Sequence, residues 1–156
     1  MAQIRDPAVA GSFYPQEPFA LQQQLDGFLS QKPRLETKPK ALIVPHAGYI
    51  YSGSVAASAY TQLLPIREQI QRVGLLGPAH RVGFRGLAAS SAEYFSTPLG
   101  LVRIDREALD EILLLPQVRE FDHAHLEEHS LEVQLPFLQA VLKKDFGLIP
   151  LVVGES

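Results

Sequence analysis

Short apolar runs alternate along the chain with longer stretches in which apolar residues recur every three or four positions. The short runs are typical of buried strands, and the longer spacing is typical of amphipathic helices. Strands are predicted at residues 41–44, 72–76, 85–90, 101–104 and 147–153. Helices are predicted at residues 21–29, 52–64, 106–115 and 131–144. This alternation predicts an α/β fold with a mostly parallel sheet flanked by helices.

Three local features refine these boundaries. Residues 31–40 are mostly polar and hold two prolines, which predicts a surface connection. Asp105 is a candidate cap for the helix that follows it. Pro136 is expected either to kink the last helix or to lie in its first turn.

Two of the predicted strands end in the same way, in a glycine or proline turn that carries a histidine. The sequences are IVPHAG at residues 43–48 and LLGPAH at residues 75–80. Ligands of parallel sheets bind beyond the carboxyl ends of the strands, so neighbouring strands would direct His46 and His80 into one crevice. A lone histidine here is more often structural, but a matched pair suits iron, zinc or copper. A third donor would still be required.

The densest titratable cluster is EFDHAHLEEHS at residues 120–130. His125, Glu128 and His129 match the H-x-x-E-H pattern of inverted zinc proteases. On a helix the two histidines would share a face and could chelate zinc, with Glu128 as general base. The alternative, favoured for His123 and His125, is a solvated, charged helix start with Ser130 as a local cap.

Two glycine-rich stretches, GSFYP and GYIYSG, carry aromatic residues that could either pack in the core or line a cleft. The aromatic residues are Phe13, Tyr14, Tyr49 and Tyr51. Neither stretch fits a dinucleotide fingerprint or a P-loop, and there is no G-x-S-x-G motif.

Composition narrows the function classes. The 156 residues suit one domain, the net charge is -3 without a basic block, and there are no cysteines. Nucleic-acid binding is therefore not indicated, and neither a disulfide nor a thiolate ligand can form. No apolar stretch is long enough to span a bilayer, and no signal peptide is visible, so a cytoplasmic location is expected.

Five ordered segments together resemble the Memo-like family, which includes AmmeMemoRadiSam system protein B and the mediator of ErbB-driven cell motility. The segments are DPAVAGSFYP, IVPHAGYIYSGSVAASAY, LLGPAH, STPL and EHSLEVQLPFL. The resemblance covers the chain from Asp6 to the last predicted strand. It implies a single Memo-like domain over residues 1–156, similar to the catalytic subunit of class III extradiol dioxygenases, with a non-haem metal pocket.

The resemblance also implies roles for individual residues. His46 and His80 correspond to metal ligands, with iron the expected ion and zinc or copper as alternatives. His129 belongs to the family's E-H-S motif and is expected to act as acid, base or support for the ligands. Phe13 and Tyr51 are expected to line the pocket.

Two departures from the family matter. The family continues well beyond this chain, so the domain is expected to be truncated at its C-terminal side, the third metal ligand to be missing, and metal binding to be weak. Arg81 stands where some relatives carry a second histidine. The resemblance implies radical-SAM and AMMECR-type partner proteins. An unfinished sheet edge predicts a homo-oligomer or dependence on a missing segment.

Three functional hypotheses follow. The first is a dioxygenase-like metal-pocket protein, a possible non-haem iron oxidoreductase acting on an unknown small substrate. The second is a non-catalytic binding or adaptor module that uses the same pocket for a peptide or partner. The third, ranked lowest, is a zinc hydrolase that uses His125, Glu128 and His129.

Overall fold

The structure, a computed structural model, describes residues 1–33, 38–143 and 145–156 as an α/β fold with helices flanking two sheets. The α-helices are α1 (Pro18–Phe28), α2 (Tyr49–Tyr60), α3 (Arg106–Ile112), α4 (His123–Leu126) and α5 (Leu135–Leu142). The strands are β1 (Ile4–Arg5), β2 (Arg72–Pro78), β3 (Leu87–Ala89), β4 (Tyr94–Thr97), β5 (Gly100–Arg103), β6 (Val118–Glu120) and β7 (Gly147–Val153). Two 3₁₀ helices span Thr61–Gln69 and Glu132–Gln134. The predicted connection at residues 31–40 lies partly outside the described residues, as does the end of the helix predicted at residues 131–144.

Both sheets mix parallel and antiparallel strands. The larger sheet has the order β2-β7-β3-β6, with β7 parallel to β2 and antiparallel to β3. The smaller sheet has the order β1-β4-β5, in which β4 and β5 form a hairpin. Only residues 98–99 separate these two strands, and a connection that short can join only antiparallel neighbours. The α/β class is confirmed, but the described strands form two mixed sheets, in which three of the five strand pairs are parallel, rather than one mostly parallel sheet.

The predicted buried strand at residues 41–44 is also wrong. These residues form no strand, and Ile43 is fully exposed at 102%. The segment faces β2 across a groove instead of pairing with it. An apolar run becomes a strand only where a neighbouring strand accepts its backbone hydrogen bonds, and none of the strands in the described part of the chain pairs with residues 41–44. β2 is also less buried than predicted, because it is an edge strand with β7 as its described partner.

The helices follow the predictions more closely. α1 buries Leu21 and Leu25 completely. α2 begins three residues earlier than predicted and gives way to 3₁₀ geometry after Tyr60. The Asp105 side chain accepts the Ala108 N–H at 3.1 Å and so caps α3. Pro136 lies in the first turn of α5, where its missing N–H costs no helical hydrogen bond.

The main core lies where α1, α2 and α5 pack together, and it contains two of the aromatic residues considered as cleft walls. Tyr14 and Tyr49 are each only 3% exposed. Tyr14 donates to Glu132 at 2.7 Å, and Tyr49 donates to the Val133 carbonyl at 2.6 Å. Both are therefore core residues with satisfied hydroxyls rather than pocket residues.

A buried ion pair ties the N-terminal segment to the loop before α5. Arg5 donates to Glu132 at 2.7 Å, and Glu132 also accepts the backbone N–H groups of Ala8 and Val9. Arg5 further donates to the carbonyls of His125 and Glu128. These contacts fix the loop that carries Glu128 and His129.

Within the described residues, no helix is long and apolar enough to cross a membrane.

Candidate metal centre

Three histidines from distant parts of the chain meet at the end of β2. One ring nitrogen from each of His46, His80 and His129 lies within 4.8 Å of the others. Ring centroids are 5.2 Å apart for His46 and His80, 4.4 Å for His80 and His129, and 5.9 Å for His46 and His129. The structure thus brings together the two predicted ligands and adds the third imidazole.

A hydrogen-bond chain from the core positions the turn that carries His46. The Tyr60 hydroxyl donates to the Gln134 side-chain oxygen at 2.6 Å, and the Gln134 amide donates to the Pro45 carbonyl at 3.1 Å. Tyr60 is 3% exposed and stacks on Phe137. The turn before α2 is therefore held by the packed interior rather than by a strand.

His80 lies two residues after the end of β2, and this strand closely approaches the loop at residues 128–131. A Cβ at Gly77 would lie 2.7 Å from the Ser130 hydroxyl oxygen, so only glycine permits this approach. Ser130 donates its hydroxyl to the Pro78 carbonyl at 2.9 Å. Ser130 therefore joins the two segments, instead of capping a helix as predicted.

Glu128 fixes the orientation of His80. Its carboxylate accepts the backbone N–H groups of His80, His129 and Ser130 at 2.6–2.9 Å, and it contacts His80 Nδ1 at 2.9 Å. Burial raises the pKa of Glu128, but these hydrogen bonds outweigh burial and lower it to about 2. An ionised carboxylate can only accept, so Nδ1 of His80 carries the proton and Nε2 presents its lone pair.

His129 is held between an aromatic ring and a second imidazole. The Phe13 ring lies 4.6 Å from it, and the His80 ring stacks on it with an interplanar angle of 29°. Phe13 therefore contacts the site where the sequence placed it. Tyr51 is 80% exposed on α2, and no described contact joins its side chain to the three histidines.

The surroundings of His46 and His129 favour the neutral form of these two imidazoles. Burial, followed by the neighbouring His80, lowers the pKa of His46. Burial also lowers the pKa of His129, with smaller contributions from His80 and His46. Neutral imidazole is the form that binds a transition metal. The His80 side chain remains 38% exposed, so the cluster is open on one side.

This donor set fits a first-row transition metal. Three nitrogen donors of intermediate softness suit iron, zinc or copper, and a carboxylate backing one imidazole is the usual support of such ligands. The third ligand was expected to be missing from the chain; among the described residues His129 offers a third nitrogen beside His46 and His80.

The H-x-x-E-H pattern does not form a site. α4 ends at Leu126, so His125 and His129 do not share a helical face. His125 is 2% exposed and donates its Nε2 proton to the Ala88 carbonyl at 2.8 Å. It is thus a buried histidine inside the fold, which corrects both the zinc-chelate and the solvated-helix interpretations.

Sequence reasoning missed the supporting residues. Glu128 was expected to act as a general base or to belong to a charged helix start, and the roles of Tyr60 and Gln134 were not recognised. For Glu128 the available signal was its position directly before a predicted site histidine. Nothing local marks Tyr60 or Gln134, because their roles depend on packing between α2 and α5.

The fold and the site together define an α/β protein with a candidate three-histidine metal centre. The family model for Memo-like protein matches residues 5–156. MEMO1 family proteins of Aquifex aeolicus, Sulfolobus acidocaldarius and Methanosarcina barkeri are 43%, 39% and 38% identical to the chain over 150, 163 and 152 residues. The chain belongs to the Memo-like family.

These matches cover nearly all of the chain but only part of each relative. They include 96%, 96% and 97% of this chain, and 55%, 57% and 55% of the respective relatives. The chain therefore spans little more than half the length of these curated relatives.

Proposed function

We propose that the chain binds a divalent transition metal, with iron preferred, through His46, His80 and His129. The observation that carries this proposal is the convergence of one ring nitrogen from each histidine within 4.8 Å. Three residues at sequence separations of 34 and 49 have no local reason to meet, and none of the three rings is needed to fill the apolar core.

The proposed reaction class is oxidation of a small substrate. Ferrous iron held by three protein donors would keep coordination positions open for dioxygen and substrate. The protein's own contribution would be to hold His46 and His129 neutral, to orient His80 through Glu128, and to cover one side of the centre with Phe13. Likeness to class III extradiol dioxygenases belongs to this proposal and is consistent with the α/β class.

The test is metal content after anaerobic reconstitution with ferrous iron. We expect about one iron per chain in the wild type and loss of that iron in His46→Ala/His80→Ala and in His129→Ala. His123→Ala is the matched control, because His123 is exposed and lies outside the cluster. Oxygen consumption by the loaded chain, measured with and without added oxidisable small molecules, then tests the proposed reaction class.

Two results would contradict the proposal. Iron retained by the His46→Ala/His80→Ala double variant would place the metal elsewhere. No bound iron, zinc or copper in the folded wild type would remove the metal centre and favour a binding module. Bound iron that consumes oxygen with none of the small substrates supplied would leave the metal site but reject oxidation of those substrates with dioxygen.

A further inference from the structure

An arginine without an acidic partner lies beside the three-histidine centre. Arg81 directly follows His80 and is exposed. Within the part of the chain that the structure describes, no group forms an ion pair or a hydrogen bond with its side chain. The pKa of His129 is lowered mainly by burial, and the charge of Arg81 adds a further decrease after those of His80 and His46. The Arg81 guanidinium is therefore close enough to act on a molecule bound at the centre.

Several arginines elsewhere in the chain are paired with a carboxylate of the protein. Arg5 contacts Glu132 at 2.7 Å, and Arg72 contacts Asp105 at 2.6 Å. A guanidinium carries its N–H donors in a fixed fork, which matches the two oxygens of a carboxylate. In Arg81 this fork has no described partner, so it is available to a ligand.

The buried carboxylate at the centre does not neutralise Arg81. The Glu128 side chain is only 1% exposed. It accepts the backbone N–H groups of His80, His129 and Ser130, and it contacts the His80 ring. A carboxylate has roughly four acceptor sites, and these contacts use them. The charge of Glu128 is thus committed inside the protein, and Arg81 has no counter-charge among the described residues.

An uncompensated cation beside the proposed metal centre favours an anionic ligand. The charge of Arg81 disfavours a metal ion at the centre for the same reason that it disfavours a proton on His129. An anion bound there would be attracted by the guanidinium and by the metal, and would reverse this repulsion. A neutral ligand would leave the two positive charges opposed.

We propose that the three-histidine centre takes a small ligand that carries a carboxylate, and that Arg81 binds this carboxylate through its guanidinium. A single arginine matches one carboxylate in charge and in hydrogen bonds, whereas phosphate groups are recognised by clusters of arginines. The 38% exposure of the His80 side chain gives such a ligand access to the centre. The inference rests on the proposed function for the role of the ligand as substrate, but the contact between Arg81 and the carboxylate does not require a metal.

The first test compares an acid with its neutral amide. Hexanoate and hexanamide are titrated into the full chain, with and without zinc, and NMR follows the ¹⁵N signals of the imidazoles and of the Arg81 guanidinium. We expect hexanoate to bind about tenfold or more tightly than hexanamide and to shift the Arg81 signal, because only hexanoate offers anionic acceptors. Equal binding of the two compounds, or no binding of hexanoate in either state, would overturn the proposal.

A matched pair of variants makes the test specific. Arg81→Gln should weaken hexanoate binding by about tenfold or more and leave hexanamide binding unchanged. Arg85→Gln is the control, because Arg85 is also exposed but is not among the charges that shift the pKa of His46 or His129. Circular dichroism checks that both variants fold. Equal weakening, or no weakening, in two folded variants would overturn the assignment of Arg81.

Two further measurements separate this inference from the metal centre itself. Arg81→Gln should bind as much zinc as the wild type, and hexanoate should tighten zinc binding in the wild type but not in Arg81→Gln. Loss of zinc in Arg81→Gln would make Arg81 a requirement of the centre and overturn its role toward the ligand.

A wild type without metal would contradict the proposed function alone, because hexanoate titration of the metal-free chain still decides the role of Arg81. Inorganic phosphate is the second anion tested. Phosphate bound more tightly than hexanoate, with a dependence on Arg81, would overturn the choice of a carboxylate.

Discussion

Glu128 and Glu132 lie four residues apart and are almost equally buried, at 2% and 1% exposure, yet their partners differ in kind. Glu132 faces Arg5, the Tyr14 hydroxyl and two backbone amides, and all of these partners make their contacts inside the protein. Glu128 holds three backbone amides and one imidazole, and that imidazole keeps its other nitrogen available. Burial of a carboxylate therefore does not identify its role. The role is indicated by whether the partner keeps a nitrogen or oxygen atom available for another contact.

The largest expected effect comes from breaking the buried ion pair between Arg5 and Glu132. Glu132→Gln should lower the free energy of unfolding by about 3–5 kcal/mol, because Arg5 is left buried without its counter-charge. Urea unfolding measures this change. Glu107→Gln is the control: its carboxylate is 83% exposed and 3.8 Å from Arg72, so a change below about 0.5 kcal/mol is expected. Similar shifts in both variants would show that the buried pair contributes no more than a surface pair.

The next effect concerns acid stability. Burial lowers the pKa of His125 from 6.5 to about 4. The unfolded chain therefore binds more protons between these values, so this contribution is present above pH 6.5 and is lost as the pH falls to 4. The loss amounts to about 3 kcal/mol. Unfolding free energies measured from pH 7 to pH 4 would show it.

His125→Gln should flatten this dependence, because glutamine can donate to the Ala88 carbonyl but does not titrate. His123→Gln, which alters an exposed histidine two residues earlier, should keep the wild-type slope. If both variants keep the slope, His125 is not the group responsible. This experiment separates pH sensitivity of the fold from that of the metal centre.

The smallest expected effect concerns Glu128, whose partner His80 keeps one ring nitrogen available. Glu128→Gln should weaken metal binding by about 10–100-fold, because the amide no longer forces the Nδ1 proton onto His80. Zinc or cobalt titration gives the affinity, and imidazole ¹⁵N shifts give the tautomer. Glu127→Gln, an exposed neighbour, should bind as the wild type does. Equal affinities in both variants, or an unchanged His80 tautomer, would contradict the assignment.

The sequence located two members of the histidine cluster better than it located the sheet. His46 and His80 were identified because a glycine or proline turn after an apolar run is a local pattern. The strand at residues 41–44 failed because pairing depends on a neighbour that local composition cannot specify. His129 was predicted as a pocket residue, but its position beside His46 and His80 depends on its contacts with Phe13 and Glu128. The buried state of His125 was invisible because Ala88, its partner, lies 37 positions earlier.

The pairing of Arg5 with Glu132 also has a consequence for the order in which the molecule forms. The two residues are separated by 127 positions, and His80 and Glu128 by 48. A chain emerging from the ribosome cannot close either contact until residues 128–132 are available. Contacts of such long range are slow to form, since loop closure precedes any compensating interaction. The histidine centre is therefore assembled late, after the local helices, and a nascent chain shorter than about 130 residues cannot contain it.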